Sequence, residues 1–390
     1  MQNNKMTNLP QGWEIKRLEE VCKNSSSNLA LKDIKDKNGR YPVFGASGIV
    51  GYVDFYHKDK ECLGIVKDGA GVGRIFILPK NTSVIGTLNY LETFENINLK
   101  YLFYFLNNID FSKYVLGAAI PHIYFRDYKK EQIPMPPLKE QERIVGILDE
   151  SFAKIDESIK ILEQDLLNLD ELMQSALQKA FNPLKDNAKE NYQLPQGWEW
   201  KSLGEIGEII TGTTPSKNNP NFYGNEYPLF KPSDLNGDMI IKFASDNLSK
   251  LGFDNARNLP KNTILIVCIG ASIGKIGLSG VNGSCNQQIN AVISNSTFIS
   301  KYLFFVCLSN YFQEILKKNA SQTTLPIINK TEFSKLQIPL PPLKEQKQIA
   351  SYLDELSLNI KALKENYKTQ IKDYEELKKS LLKKAFEGRL

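Results

Sequence analysis

The chain has 390 residues, 42% of them hydrophobic and 24% charged, with a formal net charge of +5. That length exceeds one ordinary core and implies two or more domains. No apolar run is long enough to span a bilayer, and the opening MQNNKMTNLPQGW lacks a signal-peptide core, so a cytoplasmic protein with no membrane partner is expected. Five cysteines without a CxxC pair argue against a disulfide framework or a zinc site, and two histidines exclude a His-rich metal centre.

Residues 1–135 read as a first mixed domain. It opens with LPQGWEIKRL (Leu9–Leu18). Short β-rich runs such as RIFIL (Arg74–Leu78) follow between Gly, Asn and Pro punctuation, with one helix expected around Leu99–Asn107. GAGVGRI (Gly69–Ile75) reads as a tight hairpin turn that exposes Arg74. His122, Tyr124 and Arg126 stand just before the proline pair Pro136-Pro137. Residues 136–182 read as one long helix, because proline fits a first turn where its missing N–H has no partner. Leu148, Phe152, Ile155, Ile159, Leu162, Leu166, Leu169 and Met173 alternate spacings of four and three, a heptad seam that needs a partner. Residues 183–193 read as a linker.

Everything then happens again. LPQGWEWKSL (Leu194–Leu203) repeats the opening and GASIGKI (Gly270–Ile276) repeats the glycine turn, with Lys275 where Arg74 stood. IPLPPLKEQKQIASYLDE (Ile338–Glu355) repeats IPMPPLKEQERIVGILDE (Ile133–Glu150) at twelve of eighteen positions, offset by 205 residues. Residues 194–340 form the second domain, with TILIVCI (Thr263–Ile269) and INAVI (Ile289–Ile293) as strands and one helix expected over 300–317. Residues 341–390 form the second long helix, its seam read as Leu353, Leu356, Ile360, Leu363, Tyr367, Gln370, Tyr374, Leu377 and Leu381. The anchors agree while the filling differs, which suggests one scaffold carrying two surfaces; a duplication that drifted neutrally is the plain alternative.

The expected fold is therefore α+β: two tandem mixed domains, each followed by a long helix, with the helices paired as an antiparallel coiled coil of pseudo-twofold symmetry. Seams that mediate homodimerisation are the other possibility. Residues 134–190 carry net charge −5 and residues 339–390 carry +3, which suits pairing within the chain. Dimeric DNA readers use twofold symmetry to meet two half-sites. A fused pair is free to diverge, and its target becomes two unlike half-sites across a gap that the helices fix.

This layout resembles the specificity subunit of type I restriction–modification systems. The carriers are the paired LPxGWxxxxL openings, the GAxxGK-like turns and the paired IPxPPLKEQ segments. TGTTPSKNNPNFYGNEYPLF (Thr211–Phe230) and YPVFGASGIVGYVDFY (Tyr41–Tyr56) resemble two classes of target-recognition domain. The resemblance implies that each domain reads half of a gapped double-stranded DNA site and that the helices act as spacer and dock two methyltransferase subunits. Those subunits would bind S-adenosylmethionine and methylate adenine. Restriction subunits would add translocation and cleavage driven by ATP and Mg. It implies no catalytic residue, cofactor or metal in this chain.

The residues fit that absence of chemistry. Asn219-Pro220-Asn221-Phe222 lacks the second proline of an adenine methyltransferase motif. Neither glycine turn matches GxGxxG, and no P-loop occurs. Arginine reads guanine, and Asn or Gln reads adenine, in the major groove. Candidate DNA contacts are thus Arg74, His122, Tyr124 and Arg126 in the first domain, and Lys231, Ser233, Lys275, Gln287, Gln288, Asn329 and Lys330 in the second. Asn286 and Asn290 belong to the same polar cluster as Gln287, where buried amides holding a loop are an equal reading; helix capping competes for Ser233 and Asp234. Trp13 and Trp198 are expected to pack each domain onto its helix. Spacer and docking positions are Leu148, Ile155, Leu162, Leu169, Leu353, Ile360, Tyr367 and Tyr374. Rival readings are the recognition subunit of a smaller enzyme that cuts both sides of its site, a coiled-coil adaptor without a DNA role, and a nucleotide-dependent enzyme built on the glycine turns.

Overall fold

The computed structural model describes residues 9–35, 37–117, 119–181, 194–321 and 325–390; the expected linker 183–193 lies outside them. Contacts divide the chain into two compact units, residues 1–162 with 368–390 and residues 163–367. The second half of each long helix therefore belongs to the other copy's unit.

In the first unit an antiparallel sheet has the order Cys22–Ser26, Leu88–Thr93, Cys62–Val66, Ile75–Leu78. A smaller sheet joins Gly48–Val53, Tyr41–Gly45 and Ser83–Val84. The second unit has Gly207–Thr211, Ile289–Ser294, Ile264–Val267 and Ile276–Ser279 in the same order, extended by Ile240–Ile241. Its smaller sheet joins Asp246–Leu248, Tyr223–Phe230 and Ser284–Cys285. The two most faithful anchors of the repeat pair with each other. Glu14–Arg17 runs antiparallel to Gln132–Met135, and Glu199–Ser202 to Gln337–Leu340, so each unit closes its beginning onto its end. Gly12 and Gly197 turn at φ +88 and +86, a region that a side chain would strain.

The helix Leu99–Asn107 occurs as expected, but the single helix expected over 300–317 is two, Ser300–Leu308 and Asn310–Lys318. Ser309 breaks it. Its backbone is extended (φ −66, ψ 149), and its hydroxyl donates to the Val306 carbonyl while accepting from the Phe312 N–H. Serine competes with the helix for backbone partners, and hydrophobic periodicity does not register that.

The long helices are Leu138–Phe181 and Leu343–Phe386. In the first unit Arg143 donates to the Leu390 carbonyl (2.9 Å) and Lys378 pairs with Asp156. One number rises as the other falls, so the segments run antiparallel. Leu382, Ala385 and Phe386 then enter the first unit's core with Leu148, Tyr101 and Phe105. The second unit mirrors this: Lys364 pairs with Asp170, and Ala176, Leu177 and Phe181 join Tyr302, Phe305 and Leu353. Leu148, Ile155, Leu162, Leu353 and Ile360 are buried, and Leu169, Tyr367 and Tyr374 half-buried. Trp13 packs against the first core, and Trp198 is half-buried.

The second helix corrects its expected seam. Leu363 and Leu377 are 42% and 44% exposed, while Lys364, Ile371 and Lys378 face inward beside Ile360, Tyr367 and Tyr374. Lysine stems cover apolar surface while their ammonium groups reach carboxylates, here Asp170 and Asp156. Choosing the aliphatic residue therefore picked the wrong neighbour at Leu363 and Leu377, while at the polar position read as Gln370, which is exposed, the inward residue is Ile371. All five cysteines are buried and unbridged, and burial alone pushes the Cys22 thiol up to about 12. Among the described residues no helix is long and apolar enough to cross a membrane.

Candidate nucleic-acid interface

The glycine turns are hairpins of one design. Gly69 and Gly73 have φ +94 and +86; Gly270 and Gly274 have +95 and +90. Gly73 N donates to Val66 O, and Gly274 N donates to the equivalent carbonyl of the second unit, Val267 O, both at 2.9 Å. Only these two positions of each turn need glycine, so Gly71 can become Ser272. The residue ending the turn, Arg74 or Lys275, is exposed.

Each turn is laced to the segment that precedes its proline pair. Gly69 N donates to Pro121 O and Gly270 N to Pro326 O, both at 2.9 Å. Ile123 N donates to Lys67 O (2.9 Å) and Ile328 N to Cys268 O (3.0 Å). The fold thus brings the region of Arg74 beside that of His122, Tyr124 and Arg126, and Lys275 beside Asn329 and Lys330. The His122 and Tyr124 rings meet at 5.0 Å, and the Arg126 guanidinium lies 4.5 Å over Tyr124. The rings meet edge-on, and Tyr124 and Arg126 are exposed while His122 is half-buried. Arg74 itself donates to the Ala46 carbonyl (2.7 Å), which fastens the turn to the Tyr41–Val53 hairpin.

In the second unit the lacing continues sideways. Cys268 N donates to Gln288 O (2.8 Å), and Asn286 N to Phe230 O (3.0 Å), the residue before Lys231. Gln287 is exposed and accepts from the Thr214 hydroxyl at 2.9 Å; Gln288 is half-buried and accepts from the Asn286 amide. Asn286 and Asn290 are buried, and Asn290 accepts from Thr211 (2.7 Å), so these two amides hold the loop.

Other candidates also have internal partners. Lys231 pairs with Asp246 and holds that carboxyl below its usual range, chiefly through the hydrogen bond between them. Asn329 caps the helix Lys330–Ser334 by accepting from Glu332 N (2.9 Å). Arg74 has the Ala46 bond already named. Ser233 is exposed, and no helix starts there, so the expected capping does not occur; Asp234 instead holds the turn by accepting from Lys231 N and Ser245 N. Sequence reasoning missed Thr214 and Arg257. Arg257 donates to Thr211 O (2.6 Å), and its backbone N–H donates to Thr213. The TPS string pointed toward Thr214; no local pattern marks Arg257, which arrives from 46 residues away.

A duplicated α+β scaffold that keeps its turns and rebuilds the polar surface around them has the form of a two-part recognition module. The model of the type I restriction modification DNA specificity domain matches residues 10–166 and again 195–373. The chain belongs to that family: it is a DNA-specificity subunit of the type I restriction–modification class and is not itself catalytic. The HindI specificity subunit of Haemophilus influenzae is 32% identical over 46% of this chain and 40% of that one. The EcoR124I/EcoR124II subunit of Escherichia coli is 27% identical over 91% and 89%. The fold is that of the HsdS subunit from Thermoanaerobacter tengcongensis (TM-score 0.59, 22% identity, 98% and 99% covered). It is also that of a chain solved in a study of complex assembly and conformational transition of the type I R-M system (0.76, 21%, 98% and 100%).

Proposed function

We propose that each unit reads one half of a bipartite, asymmetric DNA site through the surface around its glycine turn, and that the paired helices set the gap. The observation that carries this is the contrast within the repeat. Backbone lacing is the same in both units, while His122, Tyr124 and Arg126 face Ile327, Asn329 and Thr331 at the matching places. Two methyltransferase subunits supply S-adenosylmethionine chemistry, and restriction subunits supply ATP- and Mg-dependent translocation and cleavage. The seam residues are spent on pairing inside the chain, so docking falls to the outward faces. Leu138 and Leu343, and Leu172 and Leu377, recur there at matching exposed positions.

Arg74→Ala is expected to weaken only the first half-site and Lys275→Ala only the second. Losing one phosphate or base contact costs about 1–3 kcal/mol, read as binding to duplexes with one half-site scrambled at a time. Equal loss at both half-sites from either change would overturn the division of labour.

Because the helices pair antiparallel, a spacer change needs a heptad in each, one after Leu162 and one after Tyr367. Seven residues at about 1.5 Å each add ~10 Å, so the gap is expected to grow by about three base pairs at roughly 3.4 Å each. Methylation mapped by sequencing should show the longer gap with both half-sites unchanged; altered half-sites with the original gap would contradict the spacer role.

A further inference from the structure

In both units a large aliphatic side chain stands beside the glycine turn, just inside a second backbone closure. In the first unit Leu116 N donates to His122 O (2.8 Å) and His122 N to Leu116 O (2.9 Å). In the second, Ser321 N donates to Ile327 O (2.9 Å). Between these closures sit Ile120, 67% exposed, and Leu325, 51% exposed, at the same place in the repeat. Each directly precedes a proline whose carbonyl is held by the turn glycine, Gly69 or Gly270. Each side chain is therefore next to a proline whose carbonyl is held in place.

The two units keep some features of this surface and change others. Residues that distinguish two unlike half-sites must differ between the units, as His122, Tyr124 and Arg126 differ from Ile327, Asn329 and Thr331. Residues of the same chemistry in both perform a task that does not depend on sequence. Two such tasks remain on this face. A cation ends each turn, suited to a phosphate. An exposed aliphatic group stands beside each turn, unsuited to hydrogen-bonded readout and costly to leave in water. Proteins that bind the minor groove frequently insert such apolar side chains between base steps and partly unstack them.

We propose that Ile120 and Leu325 are such wedges, each opening one base step of its own half-site whatever the sequence there. This rests on each unit reading one half-site. The wedge supplies the distortion and its variable neighbours supply the selection.

The test uses the full chain in complex with its methyltransferase subunits. The probe is a duplex of the methylated site carrying 2-aminopurine at successive positions other than the methylated adenines. Binding is expected to raise the fluorescence at one step in each half-site. Ile120→Ala should lose the rise in the first half-site alone, Leu325→Ala in the second alone, and Ile120→Phe should keep it. A rise that survives both alanine changes overturns the proposal, as does tight binding with no rise anywhere. Loss of methyltransferase subunits from Ile120→Ala in the absence of DNA would also overturn it and make Ile120 a protein contact. Failure of the wild-type complex to bind the bipartite duplex would overturn the half-site reading itself, and the wedges with it.

Discussion

Phe386→Ala, a change near the end of the second copy, is expected to damage the first half-site and spare the second. The Phe386 ring sits in the first unit's core, 5.2 Å from Tyr101 and 5.3 Å from Phe105 at near edge-to-face angles. Truncating a buried phenylalanine removes its transfer free energy and leaves a cavity, together about 3–5 kcal/mol. Phe181→Ala is the mirror experiment, since that ring packs 5.5 Å from Tyr302 in the second unit's core. Urea denaturation of each variant, followed by binding to duplexes with one scrambled half-site, separates the two units. If Phe386→Ala weakened the second half-site instead, each helix would belong wholly to its own copy.

Gln141→Ala is expected to loosen the joint between the first unit and its helix by about 3 kcal/mol, the upper end of what a stranded buried partner costs. Gln141 is 1% exposed and accepts from Asn98 N at 2.8 Å while donating to the carbonyls of Pro136 (2.9 Å) and Asn96 (3.3 Å). Gln346 repeats every bond, with Ile299 N, Pro341 O and Thr297 O. Removing the amide strands the buried Pro136 carbonyl and the half-buried Asn98 N–H, where an unmade bond costs about 1–3 kcal/mol, while the Asn96 carbonyl lies on an exposed residue. Nearby, Lys100 and Lys301 pair with Asp149 and Asp354. The repeated string PPLKEQ…LDE is thus a socket. Its prolines start the helix, its glutamine ties that start to the domain, and its aspartate receives the lysine of KYLF. A Gln141→Ala chain with wild-type urea stability would show that the amide network contributes nothing.

Local and periodic signals carried much of this architecture. The proline-started helices and the first helix's seam rest on spacings within a few residues, and the repeat on strings that recur about 200 residues apart, all of which sequence displays directly. The exchange of helix ends was legible only as the recurring QSALQKAF and KSLLKKAF, because no local pattern says which core a terminal phenylalanine enters. The second seam misled where lysines replaced aliphatic residues. Ser309 misled because a cap is a competition for backbone partners.

The candidate interface was legible at its turns, where positive φ demands glycine, and less so elsewhere. Lys231 looked available until Asp246 arrived from a separate strand. The placement of Arg257, and of Ile120 and Leu325 beside the glycine turns, became visible only when distant segments met. Pairings of that kind depend on three-dimensional closure, which composition and period do not encode.

The most direct measurement of the central claim is a methylome. The chain would be co-expressed with its methyltransferase subunit, and modified adenines mapped by single-molecule sequencing. The expected result is a bipartite motif with a fixed gap that disappears when this chain is omitted, and whose first half alone changes when residues 1–135 are exchanged for another family member's. Methylation at a single undivided motif, or none despite a stable complex, would contradict the account.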